Sequence, residues 1–294
     1  MIALSFLGVL SKRLNSMKKL FSYSFVFIFN FPFFACAGII DFGSADEYII
    51  ATASNNQWGG NLLLGSDAHI FGSVAASNTL YLGDGVIIDG NACAGKTESW
   101  GTTVISSPST CNNLIDLADD ITAAADLAQT YTSIKRDIIG SNYFSGAGTQ
   151  SFSINNLLLS AGETLTVSGG VSDYYIFNVF EQAQLGSGAS ILLEGGILAE
   201  NVIFNFVANL TNHTFEVGGA DISGTFLSSG RTFILGDGAT LNNSRFYSTE
   251  AIVGNVQDVR FPTNALTPVP EPSTLAIFVL GMIGLVSRKF KTKH

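Results

Sequence analysis

Side chains able to do chemistry are few in this sequence, and they are scattered. Aspartates stand singly in glycine-rich stretches, at Asp67, Asp84, Asp89 and Asp237. An enzyme that cleaves polysaccharide would need clustered carboxylates, often with calcium or a basic residue. Asp84 and Asp237 share one position of a repeated motif, so stacked turns would align them as a weak cation site. The favoured interpretation is a turn aspartate that hydrogen-bonds its own backbone.

Other catalytic and ligand-binding motifs are missing. His69 and His213 are too far apart in sequence to suggest a metal site. No G-x-S-x-G nucleophile motif occurs, and the glycine-rich stretches lack the helix and lysine that a phosphate site needs. We therefore expect no catalytic residue, no cofactor and no metal, and a protein that is not an enzyme. A polysaccharide-acting enzyme is the lesser alternative.

The cysteine count allows one disulfide in the central domain. Cys36 falls in residues 1–37, the expected signal peptide, which leaves Cys93 and Cys111 as an even pair in the oxidising compartment to which such a signal leads. Parity and compartment favour a disulfide that closes this 18-residue interval. Such a bond would stabilise the fold by about 3 kcal/mol in the chain-entropy picture. Two buried free thiols are the alternative.

The N-terminus has the order of a secretory signal peptide. With a start at Met17, Lys18 and Lys19 form the basic region and residues 20–34 form the apolar region. Ala-Cys-Ala at 35–37 reads as a cleavage site, so residues 1–37 are the expected signal peptide, cut between Ala37 and Gly38. A transmembrane anchor is the alternative, but the run is shorter than the roughly 20 residues that a span needs.

The C-terminus carries a more specific motif. Val269, Pro270, Glu271, Pro272 and Ser273 precede an apolar segment, Leu275 to Val286, and a basic cluster that begins with Arg288 and Lys289. This order resembles the PEP-CTERM sorting tail of Gram-negative bacteria. The resemblance implies processing by an exosortase near residues 270–272 and passage through a membrane-anchored intermediate. The protein would then reach the cell surface or the extracellular matrix.

The two ends divide the chain and change its charge balance. We expect one domain at 38–262, a proline-containing linker at 263–272, and a hydrophobic helix with a basic tail at 273–294. Removing the ends leaves six of the 14 basic residues and 22 of the 23 acidic ones, a net charge near −16. Such a surface repels nucleic acid and anionic lipid and favours solubility outside the cell.

A repeat organises the central domain. Residues 62–74 and 80–92 match in character at every position, at an offset of 18 residues. Apolar residues alternate in short pieces within each copy, which predicts β-strands. Gly83, Gly85 and Gly90 would supply the positive φ that sharp corners require.

Two further copies of the corner motif begin at Leu185 and Leu235, and a looser copy begins at Leu159. Five copies predict a β-solenoid, because each coil must bury its apolar side on its neighbours. A flat β-sandwich is the alternative, and it would not explain a fixed offset.

Residues 112–138 break the strand pattern. Apolar residues recur there in steps of three and four, which predicts an amphipathic helix of about seven turns. Its apolar face needs a partner. The outward residue between the two inward positions of the first strand is apolar in four copies, with Gln184 the exception: Leu63, Tyr81, Leu158 and Ile234. We expect the helix to cover this column.

A solenoid with glycine corners and one Ala- and Asp-rich helix is similar to two related exported families. These are the ice-binding-like adhesin domain and the choice-of-anchor A adhesins. Asn-Val-Ile-Phe at 201–204 and Gly-Thr-Phe-Leu at 224–227 resemble a pair of strands found in both. The resemblance covers most of residues 40–255. It implies a mainly β fold, a right-handed β-helix with a long helix packed alongside.

Ice binding makes a demand that the sequence can be checked against. An ice-binding face needs a flat, regular array of small hydroxyl and methyl side chains. The outward position of the second strand in the five copies reads His69, Ile87, Thr164, Ser190 and Thr240. His69 and Ile87 break the row, so ice binding is an alternative. The preferred interpretation is an adhesive or structural surface protein, with exopolysaccharide or a cell-surface glycan as the expected partner.

The signal-peptide interpretation makes the first prediction. The exported chain should begin at Gly38, which N-terminal sequencing or intact mass would show. Ala37→Leu should block the cut, because the cleavage motif requires a small residue there. A cut at another position, or none in the unaltered chain, would contradict the interpretation.

Overall fold

The computed structural model describes residues 39–55, 59–107, 111, 114–208 and 214–260. The expected signal peptide with its cleavage site, the linker at 263–272 and the tail at 273–294 lie outside the described residues. Within the described ranges, no helix is both long enough and apolar enough to cross a membrane.

Short parallel strands make up most of the described chain. One α-helix, α1 (Leu117–Thr130), and two 3-10 turns, Gly43–Glu47 and Ala199–Asn201, accompany them. In chain order the strands are β1 (Ile50–Thr52), β2 (Asn61–Leu64), β3 (His69–Phe71), β4 (Val74–Leu82), β5 (Ile87–Ser99), β6 (Val104–Ser107), β7 (Ile134–Lys135), β8 (Ile138–Ile139), β9 (Asn142–Ser145), β10 (Thr149–Ile154), β11 (Leu157–Leu159), β12 (Thr164–Ser168), β13 (Tyr174–Val179), β14 (Ala183–Leu185), β15 (Ser190–Glu194), β16 (Val202–Phe206), β17 (Thr214–Val217), β18 (Asp221–Ile222), β19 (Gly224–Ser228), β20 (Thr232–Leu235), β21 (Thr240–Leu241), β22 (Ser244–Ser248), β23 (Ala251–Gly254) and β24 (Asp258–Arg260).

These strands stack into a three-faced solenoid of nine coils. The helix face stacks β7, β10, β13, β16, β19, β22, β1, β4 and β5. The second face stacks β8, β11, β14, β17, β20, β23, β2, β4 and β5. The third face stacks β9, β12, β15, β18, β21, β24, β3, β5 and β6. The predicted β-solenoid is confirmed.

The order of the coils in space differs from their order in the chain. Strand β1 pairs with both β22 and β4, so Ile50 lies beside Phe246 on one side and Val74 on the other. The three coils that precede the helix therefore stack on the last coil that the structure describes, β22 to β24. Helix α1 carries the chain from β6, at one end of the stack, back toward β7 at the other end.

The repeat is regular in register but not in length. Leu62 pairs with Leu80 at the expected offset of 18 residues. Leu159 pairs with Leu185 at an offset of 26, and Leu185 pairs with Val217 at an offset of 32. The prediction of a fixed offset is therefore wrong for the later coils. Loops that leave the stack at its corners absorb the extra residues without changing the strand pairing.

The corner positions Gly83, Gly85 and Gly90 require glycine for two different reasons. Gly85 has a φ of 77°, as the sequence predicted. Gly83 and Gly90 do not adopt positive φ, so that expectation is wrong for them. A Cβ on Gly83 would lie 2.6 Å from the nitrogen of Ser66 in the next coil, and one on Gly90 would lie 2.5 Å from the carbonyl carbon of Gly72. Gly83 and Gly90 are glycine because the backbone of the neighbouring coil leaves no room for a Cβ at either position.

The interior is mainly aliphatic, and in four successive coils it contains a column of stacked aromatic rings. Phe177, Phe204, Phe226 and Phe246 lie in successive coils, with ring centroids 4.8, 5.2 and 4.9 Å apart. Their planes are within 12° of parallel. Each ring is completely buried and stacks on the same residue type one coil away, so register and packing reinforce each other.

Helix α1 packs on the helix face through a stripe of buried residues. Leu117, Ile121, Ala124, Ala125 and Ala128 are all buried. Their partners are mostly outward residues of the helix-face strands: Ala51, Ala75, Cys93, Ile176, Ile203, Leu227 and Tyr247. The predicted amphipathic helix packed alongside the solenoid is confirmed. The expectation that it covers the Leu63 column is wrong, because that column belongs to the second face.

The helix is also shorter than the predicted 112–138. It begins at Leu117 and ends at Thr130, four turns rather than seven. Ile134 and Ile138 continue the helical spacing but pair as strand residues with Phe152 and Leu157. The polar and β-branched run from Thr130 to Ser133 favours helix poorly, and strand pairing decides the conformation beyond it.

The cysteine pair ties the end coil to the segment that leads into the helix. Cys93 and Cys111 are joined in the structure, with their Cα atoms 5.2 Å apart, within the range that a disulfide requires. Cys93 is buried among the residues that contact α1.

Helix packing yields the second prediction. Leu117→Asp or Ile121→Asp should lower the free energy of unfolding by about 3–5 kcal/mol, because each would bury an unpaired charge. Leu127→Asp is the matched control, since Leu127 lies on the same helix and is 39% exposed. It should change stability by less than about 0.5 kcal/mol. Urea unfolding followed by circular dichroism measures all three, and equal effects would show that the helix is free of the solenoid.

The disulfide yields the third prediction. Cys111→Ser, or reduction of the unaltered chain, should lower the free energy of unfolding by about 3 kcal/mol. Cys36→Ser is the control and should have no effect on the folded domain. Two free thiols in the exported protein, counted by alkylation and mass spectrometry, would contradict the assignment.

Candidate binding surface

The helix face is closed to ligands over most of its length, and hydrogen bonds reinforce the cover. Asn205 and Asn178 are buried side by side and bond to each other, Nδ2 to Oδ1, at 2.8 Å. Asn205 donates to the carbonyl of Ala125 and Asn178 to that of Ala128, each at 3.0 Å. Among the described residues, no helix covers the other two faces of the solenoid.

The second face presents two outward columns that run from coil to coil. The first column contains Thr214, Thr232, Ala251, Asn61 and Thr79 in register. The second contains Ile234, Val253, Leu63 and Tyr81, one per coil. Ile234 is 37% and Val253 39% exposed. We call the four coils from Thr232 and Ile234 to Thr79 and Tyr81 the open strip.

The open strip is uncharged, and charged residues flank it at both ends. Glu216 follows Ile234 in the apolar column, and Gln184 donates to its carboxylate. At the other end Glu98 follows Tyr81 and forms an ion pair with Lys96. The apolar column was predicted from the sequence, but as the surface that the helix covers. The sequence does not reveal which face the helix packs on, so the column was not predicted to be exposed.

Tyr81 extends the apolar character of the strip to the end coil. Its ring stacks on that of Trp100, with centroids 5.8 Å apart and planes 26° apart. Trp100 is 63% exposed. Exposed aromatic side chains of this kind are common contact residues at interfaces. They offer a large apolar area, and their few rotatable bonds mean that they lose little conformational entropy on binding.

The third face is less regular. His69, Ile87, Thr164, Ser190 and Thr240 lie in one outward column, as the sequence predicted. The structure adds three residues that the repeat had hidden: Asp221, Asp258 and Val104. The hydroxyls of Thr164 and Ser190 are neighbours in this column and bond to each other at 2.8 Å.

Charged and aromatic residues also crowd this third face. His69 lies 2.9 Å from Asp89, and its ring stacks on Phe71. The guanidinium of Arg260 covers the same Phe71 ring at 4.2 Å. Because of these mixed charges and bulky rings, the third face is not a flat, regular array of small side chains.

The scattered aspartates bond to backbone and to neighbouring coils. Asp84 accepts the backbone N–H of Thr102 in the next coil at 2.8 Å, and Asp237 accepts the side-chain amide of Asn255. The expectation that these two bond their own backbone is therefore wrong. In the part of the chain that the structure describes, no three His, Cys, Asp or Glu side chains converge on a metal-sized site.

Two other carboxylates also stabilise corners, and their pKa values reflect it. The backbone N–H groups of Asn156 and Asn155 hold the pKa of the Asp137 carboxyl below its ordinary value. Those of Gly170 and Gly148 do the same for Asp173. Asp137 bonds two adjacent residues of the neighbouring coil, and Asp173 bonds its own turn and the turn at Gly148, so both carboxylates have a structural role.

The completely buried Arg231 is a second internal tie. Its guanidinium donates to four backbone carbonyls on the two preceding coils, and burial lowers its pKa. Arg245 is 9% exposed and pairs with Asp46 at 3.0 Å. Neither cation is available to a ligand.

Comparison with known proteins gives one match for the C-terminal motif and several for the solenoid. The family model "PEP-CTERM protein-sorting motif" matches residues 268–289. No match was found among curated proteins.

The solenoid resembles solved ice-binding proteins. One, from the Antarctic ascomycete Antarctomyces psychrotrophicus, is 15% identical, with a TM-score of 0.51, over 78% of this chain and 100% of that one. Another, from an Antarctic Flavobacteriaceae bacterium, is 16% identical, with a TM-score of 0.50, over 77% of this chain and 49% of that one. At such identities the likeness establishes the fold alone. The chain thus joins an ice-binding-like β-solenoid to a PEP-CTERM sorting motif, which marks it as exported, membrane-anchored before processing, and destined for the cell surface.

Proposed function

We propose that this protein is an adhesive or structural component of the bacterial surface or extracellular matrix, and that it has no catalytic activity. The open strip is the observation that carries the proposal. It is an uncharged, partly apolar surface across four coils of a domain whose net charge is near −16. Contiguous apolar residues on the surface of a soluble domain are typical of binding sites, because exposing them to water has a free-energy cost.

The chemistry of the strip suits a polysaccharide. Thr232 and Asn61 offer donors and acceptors two coils apart, at a strand spacing of about 4.8 Å per coil, whereas Thr79 is buried at the end of the column. Val253, Leu63 and Tyr81 lie beside them and would contact the apolar faces of sugar rings. An extended polymer could follow both columns along the stack, and many weak contacts would add up to useful affinity.

Ice binding is the second candidate, and one observation favours it. Thr214, Thr232 and Ala251 form a run of small hydroxyl and methyl side chains in register. The bulky Leu63 and Tyr81 project beside the continuation of that run, which makes the surface less flat than ice requires. The fold shared with ice-binding proteins supports the candidate only as far as architecture.

Substitutions on the strip test the proposal. Val253→Asp and Leu63→Asp should weaken binding of the purified protein to the producing organism's own exopolysaccharide by at least about tenfold, equivalent to about 1.4 kcal/mol. Leu192→Asp is the matched control, because Leu192 points outward from the third face and is 47% exposed. Sedimentation with labelled polysaccharide measures the affinity.

The same proteins decide between the candidates. Thermal hysteresis or ice shaping by the unaltered protein, lost in Val253→Asp and combined with no polysaccharide binding, would replace adhesion with ice binding. Equal loss in the control would mean that added negative charge, and not the strip, is responsible.

A further inference from the structure

The six basic residues of the domain are not equally available. Lys96 pairs with Glu98, Arg245 pairs with Asp46, and Arg231 is buried against backbone carbonyls. Arg260 lies over Phe71 and 3.7 Å from Asp258. These four cations are already engaged.

The remaining two, Lys135 and Arg136, are adjacent and exposed on the end coil that follows the helix. Neither forms an ion pair with any residue that the structure describes. Arg136 packs its guanidinium over the Phe144 ring at 4.2 Å and has one long hydrogen bond, 3.4 Å, to Asn142. The Phe144 ring holds the guanidinium in place while most of its N–H groups stay free.

A cavity of about 250 Å³ is lined by these two cations together with Asp137, Ser153 and Asn155. It sits where the helix cover ends. Ser153 and Lys135 continue the outward column of Asn178 and Asn205, but α1 stops at Thr130 and leaves them open. The volume falls below the range of drug-sized sites, so it fits a single small unit.

Asp137 does not neutralise this cavity. Its Oδ1 accepts the backbone N–H groups of Asn155 and Asn156 at 2.8 and 3.1 Å. Those bonds commit the carboxylate to the corner, and no ion pair with the two cations forms. Two cations and one committed carboxylate leave the cavity with net positive charge, opposite to the rest of the domain.

We propose that the Lys135–Arg136 cavity binds the carboxylate of an acidic sugar, such as a uronate, in a matrix polysaccharide. This inference rests on the proposed adhesive function and names the chemistry of one contact. The guanidinium of Arg136 would pair with the carboxylate. Lys135 would add charge, while Ser153 and Asn155 would bond ring hydroxyls.

The charge distribution also sets the orientation of binding. An anionic polymer is repelled by the acidic surface elsewhere and attracted only at this end of the solenoid. The protein would therefore hold an acidic chain at its end coil and a neutral stretch along the open strip.

The test compares the full chain with the double variant Lys135→Gln, Arg136→Gln. Probes are a polyuronate, dextran sulfate and unmodified dextran, each titrated at low salt and at about 1 M salt, where the screening length is about 3 Å. The variant should bind polyuronate at least tenfold more weakly, with no change for dextran. Loss for dextran sulfate alone would overturn the carboxylate assignment. Lys96→Gln, which removes an engaged cation at the other end coil, should leave polyuronate binding unchanged.

Two further results would overturn the proposal. One is unchanged polyuronate binding by the double variant. The other is that the variant self-associates on size-exclusion chromatography while its monomer binds polyuronate fully. The role of the two cations would then be to prevent the exposed edge of β7 from pairing with another chain.

Binding of the organism's own polysaccharide separates this inference from the proposed function. If that binding persists while the double variant still holds polyuronate, only the cavity assignment fails. If the unaltered chain binds polyuronate through the cavity but not its own polysaccharide, only the adhesive function fails.

Discussion

In-register stacking of parallel strands is the constraint on which the rest of this structure depends. Each strand takes its hydrogen bonds from the coils on either side, and the Phe177–Phe246 ring column repeats the same register inside. A strand that slipped by one residue would turn its buried side chains outward. Register therefore ties backbone bonding, core packing and the surface columns to one another.

The contact between β1 and β22 has the largest consequence of any pairing. It joins residues almost 200 positions apart and places the first coils of the chain on top of the last ones. After β6 the chain must then return to the far end of the stack. The helix makes that return, and the small residues Ala51 and Ala75 leave room for it on the face it crosses. Loop-closure entropy for such distant pairing is substantial but grows slowly with length, so stacking can outweigh it.

Covering one face determines what the others can do. The helix covers the outward apolar residues of its own face, and the Asn178–Asn205 pair bonds the carbonyls of Ala128 and Ala125 in its C-terminal half. The strip on the second face then has no partner within the described chain. The same helix stops short of the end coil, which leaves the cavity beside Lys135 open. Both candidate sites exist because of where one helix begins and ends.

Much of the local structure could be predicted from the residues. Alternation at Leu62, Leu64 and Ile70 identified strands, because neighbouring side chains on a strand point to opposite sides. Glycine spacing identified corners, the spacing around Leu117 and Ile121 identified a helix, and the Val-Pro-Glu-Pro-Ser order identified the sorting motif. Each of these depends on residues close together in the chain.

Tertiary structure decided the rest. Alternation reveals that Leu63 and Ile234 point outward, but not whether something covers them. Only the pairing of β1 with β22 determines which face the helix reaches. Helical spacing continues through Ile134 and Ile138, yet strand pairing with distant residues ends the helix at Thr130. The sequence by itself determined the strands, the corners and the destination of the protein. Contacts between residues far apart in the chain decided the order of the coils and the surfaces left to bind, because those contacts have no local signature.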